Sequence, residues 1–248
     1  VDPVHDAELI ETELLLADLA TLERRLIKVN KAARGGNKTA VQKTKVLEQL
    51  LDHLNNGHRA RTFPAENDDI TFIRSLFLMS RKPILYVANV DEIEIQNETR
   101  NKHVQALFDF AGKEGNLAIR LCGKLEQEIA KLEGDDRQIF LNEYCLPEPG
   151  LDKLIHASFN LLDLETFFTG GPKEVRAWTV KVGVTAPEAA GVIHTDFEKG
   201  FIRAEVMAYE DFVANNGEQG CKEAGKLRLE GKEYIVQDGD VMHFRFNV

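Results

Sequence analysis

Two apolar seams separated by a glycine pair constrain the first quarter of this 248-residue chain. Leu15, Leu19, Leu22, Leu26, Val29 and Ala33 recur at 4-3-4-3-4 spacing, the period of a helix that packs along a partner helix. Gly35-Gly36 breaks that pattern, and Asn37 supplies a good cap for a second helix. There Ala40, Thr44, Leu47, Leu51 and Leu54 repeat the spacing before Asn55-Asn56-Gly57 ends it. The pattern predicts a helix over residues 5–34 that turns back as an antiparallel helical hairpin over residues 1–63.

The hairpin is polarised. Acids collect at its base (Asp6, Glu8, Glu11, Glu13, Asp18), whereas the stretch from Arg24 to Lys45 holds eight bases and no acid. Those bases are Arg24, Arg25, Lys28, Lys31, Arg34, Lys38, Lys43 and Lys45. Such a tip suits a phosphate backbone, with binding that weakens in salt. A solvated face that keeps the hairpin soluble, and a docking surface for another protein, stay open beside that reading. The whole chain carries a net charge of −10, which argues against nonspecific nucleic-acid binding by its general surface and gives no sign of DNA specificity.

Residues 64–162 alternate apolar strands with amphipathic helices, the rhythm of a parallel sheet covered on its faces. Strands are predicted at 84–88 and 117–121, with helices through Val104, Leu107, Phe108 and Ala111 and around 125–132, 135–144 and 151–162. Residues 163–248 change to an α+β pattern. Strands are expected at 175–182, 201–209, 227–229, 234–236 and 241–246, and Thr185-Ala186-Pro187-Glu188 forms a helix-starting capping box.

Asn89-Val90-Asp91-Glu92 stands directly after the first buried strand, where open α/β sheets bind ligands. GTPases with a phosphate-binding loop hold N-K-x-D there, and its Asp selects guanine. With Val90 in place of the Lys and Glu92 in place of the Asp, strict guanine selection is expected to be lost. The second strand runs into Cys122-Gly123-Lys124, which fits either a second base-side loop or a plain strand-to-helix turn.

Four stretches carry a family resemblance: Pro83 to Glu92, Lys173 to Thr179, His194 to Val206, and Tyr234 to Phe244. They resemble the YchF (Obg-like) ATPases over essentially the whole chain. The resemblance implies a coiled-coil hairpin, the end of a G domain (64–162) and a β-grasp-like TGS domain (163–248). It implies ATP binding preferred over GTP, slow hydrolysis with Mg2+, and association with ribosomes. Asn89, Val90 and Glu92 match the family's N-x-x-E base-recognition loop, and Cys122 and Gly123 match its later base-side loop. Lys124 departs from the small or apolar residue expected next.

No stretch reads G-x-x-x-x-G-K-[ST], the phosphate-binding loop of such enzymes. The Gly-Lys pairs at 112, 123, 225 and 231 are followed by Glu, Leu, Leu and Glu. Asp109-Phe110-Ala111-Gly112 spells a switch motif but in the wrong order relative to the base loop. The expectation is therefore a chain whose phosphate-binding part lies upstream of Val1, with no catalytic residue of its own and no tight nucleotide binding alone. A non-enzymatic RNA-binding adaptor made of the hairpin and the TGS-like module is the competing expectation.

The amino terminus has neither a basic region nor an apolar core of a signal peptide, and no apolar run approaches the roughly 18 residues of a membrane span. Three dispersed cysteines suit a reducing cytoplasm, and seven scattered histidines give no metal-ligand spacing. A cytoplasmic monomer without a metal site is expected.

Overall fold

The computed structural model describes residues 2–97, 99–171 and 174–247. Val1, and Lys173 at the head of one resembling segment, lie outside the described residues. The chain forms two compact units, Val1–Ala157 and Ser158–Val248.

The first unit begins with α1 (Pro3–Arg34). Asp2 accepts hydrogen bonds from the amides of Val4 and His5, and Pro3 sits where its missing N–H costs nothing. Gly36, at φ 83°, makes the turn that a residue with a Cβ resists. Asn37 then accepts from the Ala40 amide to start α2 (Lys38–Asn55). The helices run back along one another, and Thr44 donates to the Asn30 side chain across the pair at 3.0 Å.

The buried stripe is wider than the predicted seam. Val46 and Leu50, which stand outside that seam, are fully buried with Leu22, Leu47 and Leu54. The reason is α3 (Asn67–Arg74) and the loop after it, whose Phe72, Ile73, Leu76 and Leu78 join the same core. Sequence periodicity reports the face toward the partner helix and is blind to a third element laid on the flank.

Two acids of the hairpin base are interior. Asp18 accepts from the backbone amides of Met79 and Ser80, both at 2.7 Å. Glu11, with 2% of its side chain exposed, pairs with Arg59 and accepts from the Tyr86 hydroxyl, and Arg61 lies 3.5 Å away. Burial works against its charge. The hydrogen bonds from Tyr86 and Arg59 and the charges of Arg59 and Arg61 outweigh burial and hold its carboxyl below the usual carboxylate range.

These contacts deliver the chain into β1 (Leu85–Asn89). It leads to α4 (Glu92–Gln96), α5 (Lys102–Lys113) and β2 (Leu117–Leu121), then α6 (Gly123–Ile129), α7 (Gly134–Glu143) and α8 (Gly150–Leu161). β1 and β2 are parallel, with Leu85 opposite Leu117 and Asn89 opposite Leu121. Among the described residues β1 has no second strand partner, and Val87 and Leu117 are exposed.

The second unit is a five-stranded mixed sheet in the order β4-β3-β7-β5-β6. Its strands and helices are β3 (Leu164–Gly170), β4 (Val175–Lys181), α9 (Ala186–Ile193), α10 (Thr195–Lys199), β5 (Phe201–Ala208), α11 (Tyr209–Ala214), α12 (Glu218–Glu223), β6 (Arg228–Glu230) and β7 (Asp240–Phe246). The capping box is formed, with Glu188 accepting from the Thr185 amide at 2.7 Å. β3 escaped the sequence reading, because Thr166, Thr169 and Gly170 interrupt its apolar alternation. Residues 234–236, expected as a strand, make only one bridge, Thr185 to Ile235. Tyr234 turns instead to Asp240, its hydroxyl donating at 2.7 Å. Burial and that carboxylate push the phenol up to about 12.

The resulting fold is mixed α/β, with a small parallel sheet in one unit and helices throughout. Among the described residues no helix is long and apolar enough to cross a membrane.

Candidate nucleotide-base site

The parallel register of β1 and β2 sets the geometry. Asn89 is the last residue of β1 and Leu121 the last of β2, so the loops that follow leave the sheet side by side. The Val90 amide donates to the Leu121 carbonyl at 2.9 Å, extending the pairing one residue beyond the strands. Asn89 Oδ1 accepts from the Gly123 amide at 3.0 Å. A Cβ at Gly123 would meet that same oxygen at 3.4 Å, an ordinary van der Waals contact, so the hydrogen bond does not depend on glycine at this position. Asn89 thus braces one loop against the other.

Val90 turns inward and packs with Ala88, Val104 and Leu107. Cys122 is likewise buried, against Leu125, Ile129 and Leu141. Both residues can meet a ligand through the backbone, with the side chains committed to the core. Glu92 opens α4 with its carboxylate partly exposed. The carboxylate lies 2.6 Å from Lys124 Nζ, and the ammonium itself is open to solvent. That hydrogen bond and the carboxylate charge raise the Lys124 ammonium above its ordinary value. The structure therefore brings Asn89, Val90, Glu92, Cys122 and Gly123 together, and it adds Lys124 as the counter-charge of Glu92. A carboxylate–ammonium pair at the rim can offer an acceptor and a donor to the polar edge of a purine.

Two residues that sequence reasoning passed over hold the loop in place. Asp91 caps α4, accepting from the Glu94 amide at 2.7 Å. Arg120, on β2, donates to the carbonyls of Glu94, Ile95 and Asn97 at 3.2, 3.4 and 2.9 Å, closing the far end of the same helix. An arginine inside an apolar strand was the available signal, since a buried guanidinium requires carbonyl or carboxylate partners. An open groove of about 410 Å3 runs beside β1, lined by Val87, Asn89, Asp91, Asn101 and His103.

The eight bases of the hairpin tip lie around the α1–α2 turn. All but Lys43 are exposed; Lys43 is half-buried, with its ammonium 5.1 Å from the centre of the Phe72 ring. None of the eight forms an ion pair among the described residues.

Comparison with known proteins decides the family. The chain is 50% identical to the ribosome-binding ATPase YchF of Bacillus subtilis, over all 248 residues here and 68% of that relative. It belongs to the YchF family. The YchF of Haemophilus influenzae is 50% identical over the same share. The solved structure of the Schizosaccharomyces pombe YchF GTPase superposes with a TM-score of 0.82 at 31% identity, covering 99% of this chain and 66% of that one. A GTP binding protein from Pyrococcus horikoshii, at 18% identity and a TM-score of 0.60, shares the fold. The YchF-GTPase_C description, a protein of unknown function (DUF933), matches residues 164–247, nearly all of the second unit. The chain spans about two thirds of the length of its YchF relatives.

Proposed function

We propose that this chain is the base-recognising and ribosome-facing part of a P-loop ATPase that acts in translation. The observation that carries the reading is the Asn89–Gly123 hydrogen bond. It locks two loops together at the carboxyl ends of adjacent parallel strands, where sheets of this class take their ligands. Glu92 reads the base edge, Asn89 braces the loop, and Cys122 and Gly123 present backbone. The names carried by the bacterial relatives, ribosome-binding ATPases, support the activity and the partner.

Within this reading α1 and α2 are the coiled-coil hairpin, residues 64–162 end the G domain, and residues 163–248 are the β-grasp-like TGS domain. The 248 residues contain no phosphate-binding loop, so ATP or GTP with Mg2+ is held productively only in a polypeptide that supplies one. ATP is favoured because Glu92 places its carboxylate one methylene beyond an Asp and already shares it with Lys124.

The test is base selectivity in the full-length polypeptide. Val90→Lys combined with Glu92→Asp restores the guanine-reading pattern and should move the ratio of GTP to ATP affinity by about tenfold or more toward GTP. An unchanged ratio would remove these loops from base recognition. The exposed basic tip favours a second reading, an RNA-binding adaptor without catalysis. The full-length polypeptide distinguishes the two: metal-dependent ATP turnover supports the enzyme, and its absence leaves the adaptor.

A further inference from the structure

The second unit brings together three potential metal ligands that are far apart in sequence. Glu205 on β5 and His243 on β7 are directly opposite one another in antiparallel register. Glu218 projects from the first turn of α12, behind Gly217 at φ 106°. One ligand atom from each of the three lies within 4.8 Å of the other two. We infer that Glu205, Glu218 and His243 form a binding site for a divalent transition-metal ion of the zinc class.

Donor type, support and access all bear on this. One imidazole nitrogen and two carboxylates suit a borderline ion such as Zn2+; Ca2+ and Mg2+ ask for six or more oxygens. Glu205 is buried and oriented by Arg245, whose Nε and terminal nitrogen donate at 3.2 and 3.0 Å to its two oxygens. Each oxygen keeps a free lone pair, so the guanidinium holds the carboxylate as a supporting hydrogen bond does around a metal. Glu218 and His243 both line a cavity of about 250 Å3, which gives an ion an entry path and room for a water ligand.

Ligand atoms around tetrahedral Zn2+ stand about 3.4 Å apart, given bonds of roughly 2.1 Å. The three ligand atoms, within 4.8 Å of one another, must draw closer to reach that spacing, and Glu218 is the ligand outside the strand pair. Its side chain is exposed at a helix start and free to rotate through its rotamers. Arg245 and Arg203 oppose a cation, so affinity should be moderate and specific to metals that favour nitrogen.

The test titrates the full chain with Co2+, whose visible spectrum reports its ligands, followed by displacement with Zn2+. The expected result is one Co2+ per chain with no sulfur-to-cobalt charge-transfer band. Glu218→Gln and His243→Gln should each weaken binding about tenfold or more, whereas Glu223→Gln on the same helix should not. Glu218→Gln touches an exposed side chain, so it separates ligand loss from misfolding. Equal Co2+ affinity in native protein and both variants would overturn the site. So would a charge-transfer band that disappears with Cys145→Ser, which would place the metal on the exposed thiol.

Discussion

Glu11 and Glu165 are both interior carboxylates, and their surroundings give opposite pH responses. Glu11 is held ionised by Tyr86, Arg59 and Arg61, so its pKa falls on folding. Its contribution to stability is therefore complete above the ordinary carboxylate range and is lost as pH drops through its lowered pKa. Glu11→Gln should cost about 3–5 kcal/mol at neutral pH, because it leaves Arg59 and Arg61 poorly compensated. The variant should also lack part of the acid transition, and chemical unfolding at pH 7 and pH 4 measures both effects. Glu165 has one oxygen buried without a hydrogen-bond partner. Burial, then the charges of Asp238 and Asp240, raise its pKa despite a backbone hydrogen bond from Gly183. Its contribution is present at low pH and is lost as pH rises through that raised value. Glu165→Gln should therefore make the second unit more stable than native protein at neutral pH, and a difference that widens on acidification would refute this.

The hairpin and the loops after β1 and β2 show what the sequence carried and where it stopped. Helix boundaries at Gly35, Asn37 and Asn56 were readable because caps and breakers act locally. The two parallel strands were readable because each is a short apolar run followed by its own turn. The adjacency of Asn89 and Gly123, 34 residues apart, was not, since it depends on the register between the two strands. Arg120 was missed for the same reason: the carbonyls it serves belong to another element. Arg120→Ala should loosen α4 and, in the full-length polypeptide, weaken nucleotide binding while leaving overall folding intact. Amide exchange at residues 94–97 together with nucleotide affinity checks this. At the hairpin, Lys28, Lys31, Arg34 and Lys38 changed to Glu should reduce affinity for ribosomal RNA by about tenfold or more and flatten its salt dependence. Equal binding curves at two salt concentrations would dismiss the tip as an RNA contact.

For the molecule as a whole, the division at Ser158 predicts unequal independence. The second unit encloses its own core of Phe167, Val206, Val236 and Met242, so residues 158–248 alone should unfold cooperatively on heating. The α/β part of the first unit depends on the hairpin base for the partners of Met79, Ser80 and Tyr86. Deleting residues 1–63 should make residues 64–157 protease-sensitive, and equal protection of both parts would count against this coupling.

The same buried acids give α1 a mechanical character. Its 32 residues make a stiff rod about 48 Å long, held at Glu11 in its first third and at Asp18 midway along, with the basic residues at its far end. Sideways force at the tip acts on the Asp18 contact through about 24 Å of helix. The same stretch of helix holds the Met79 and Ser80 amides and the Tyr86 hydroxyl, three to ten positions before Asn89. A load on the distal turn is therefore passed to β1, the strand that ends at Asn89.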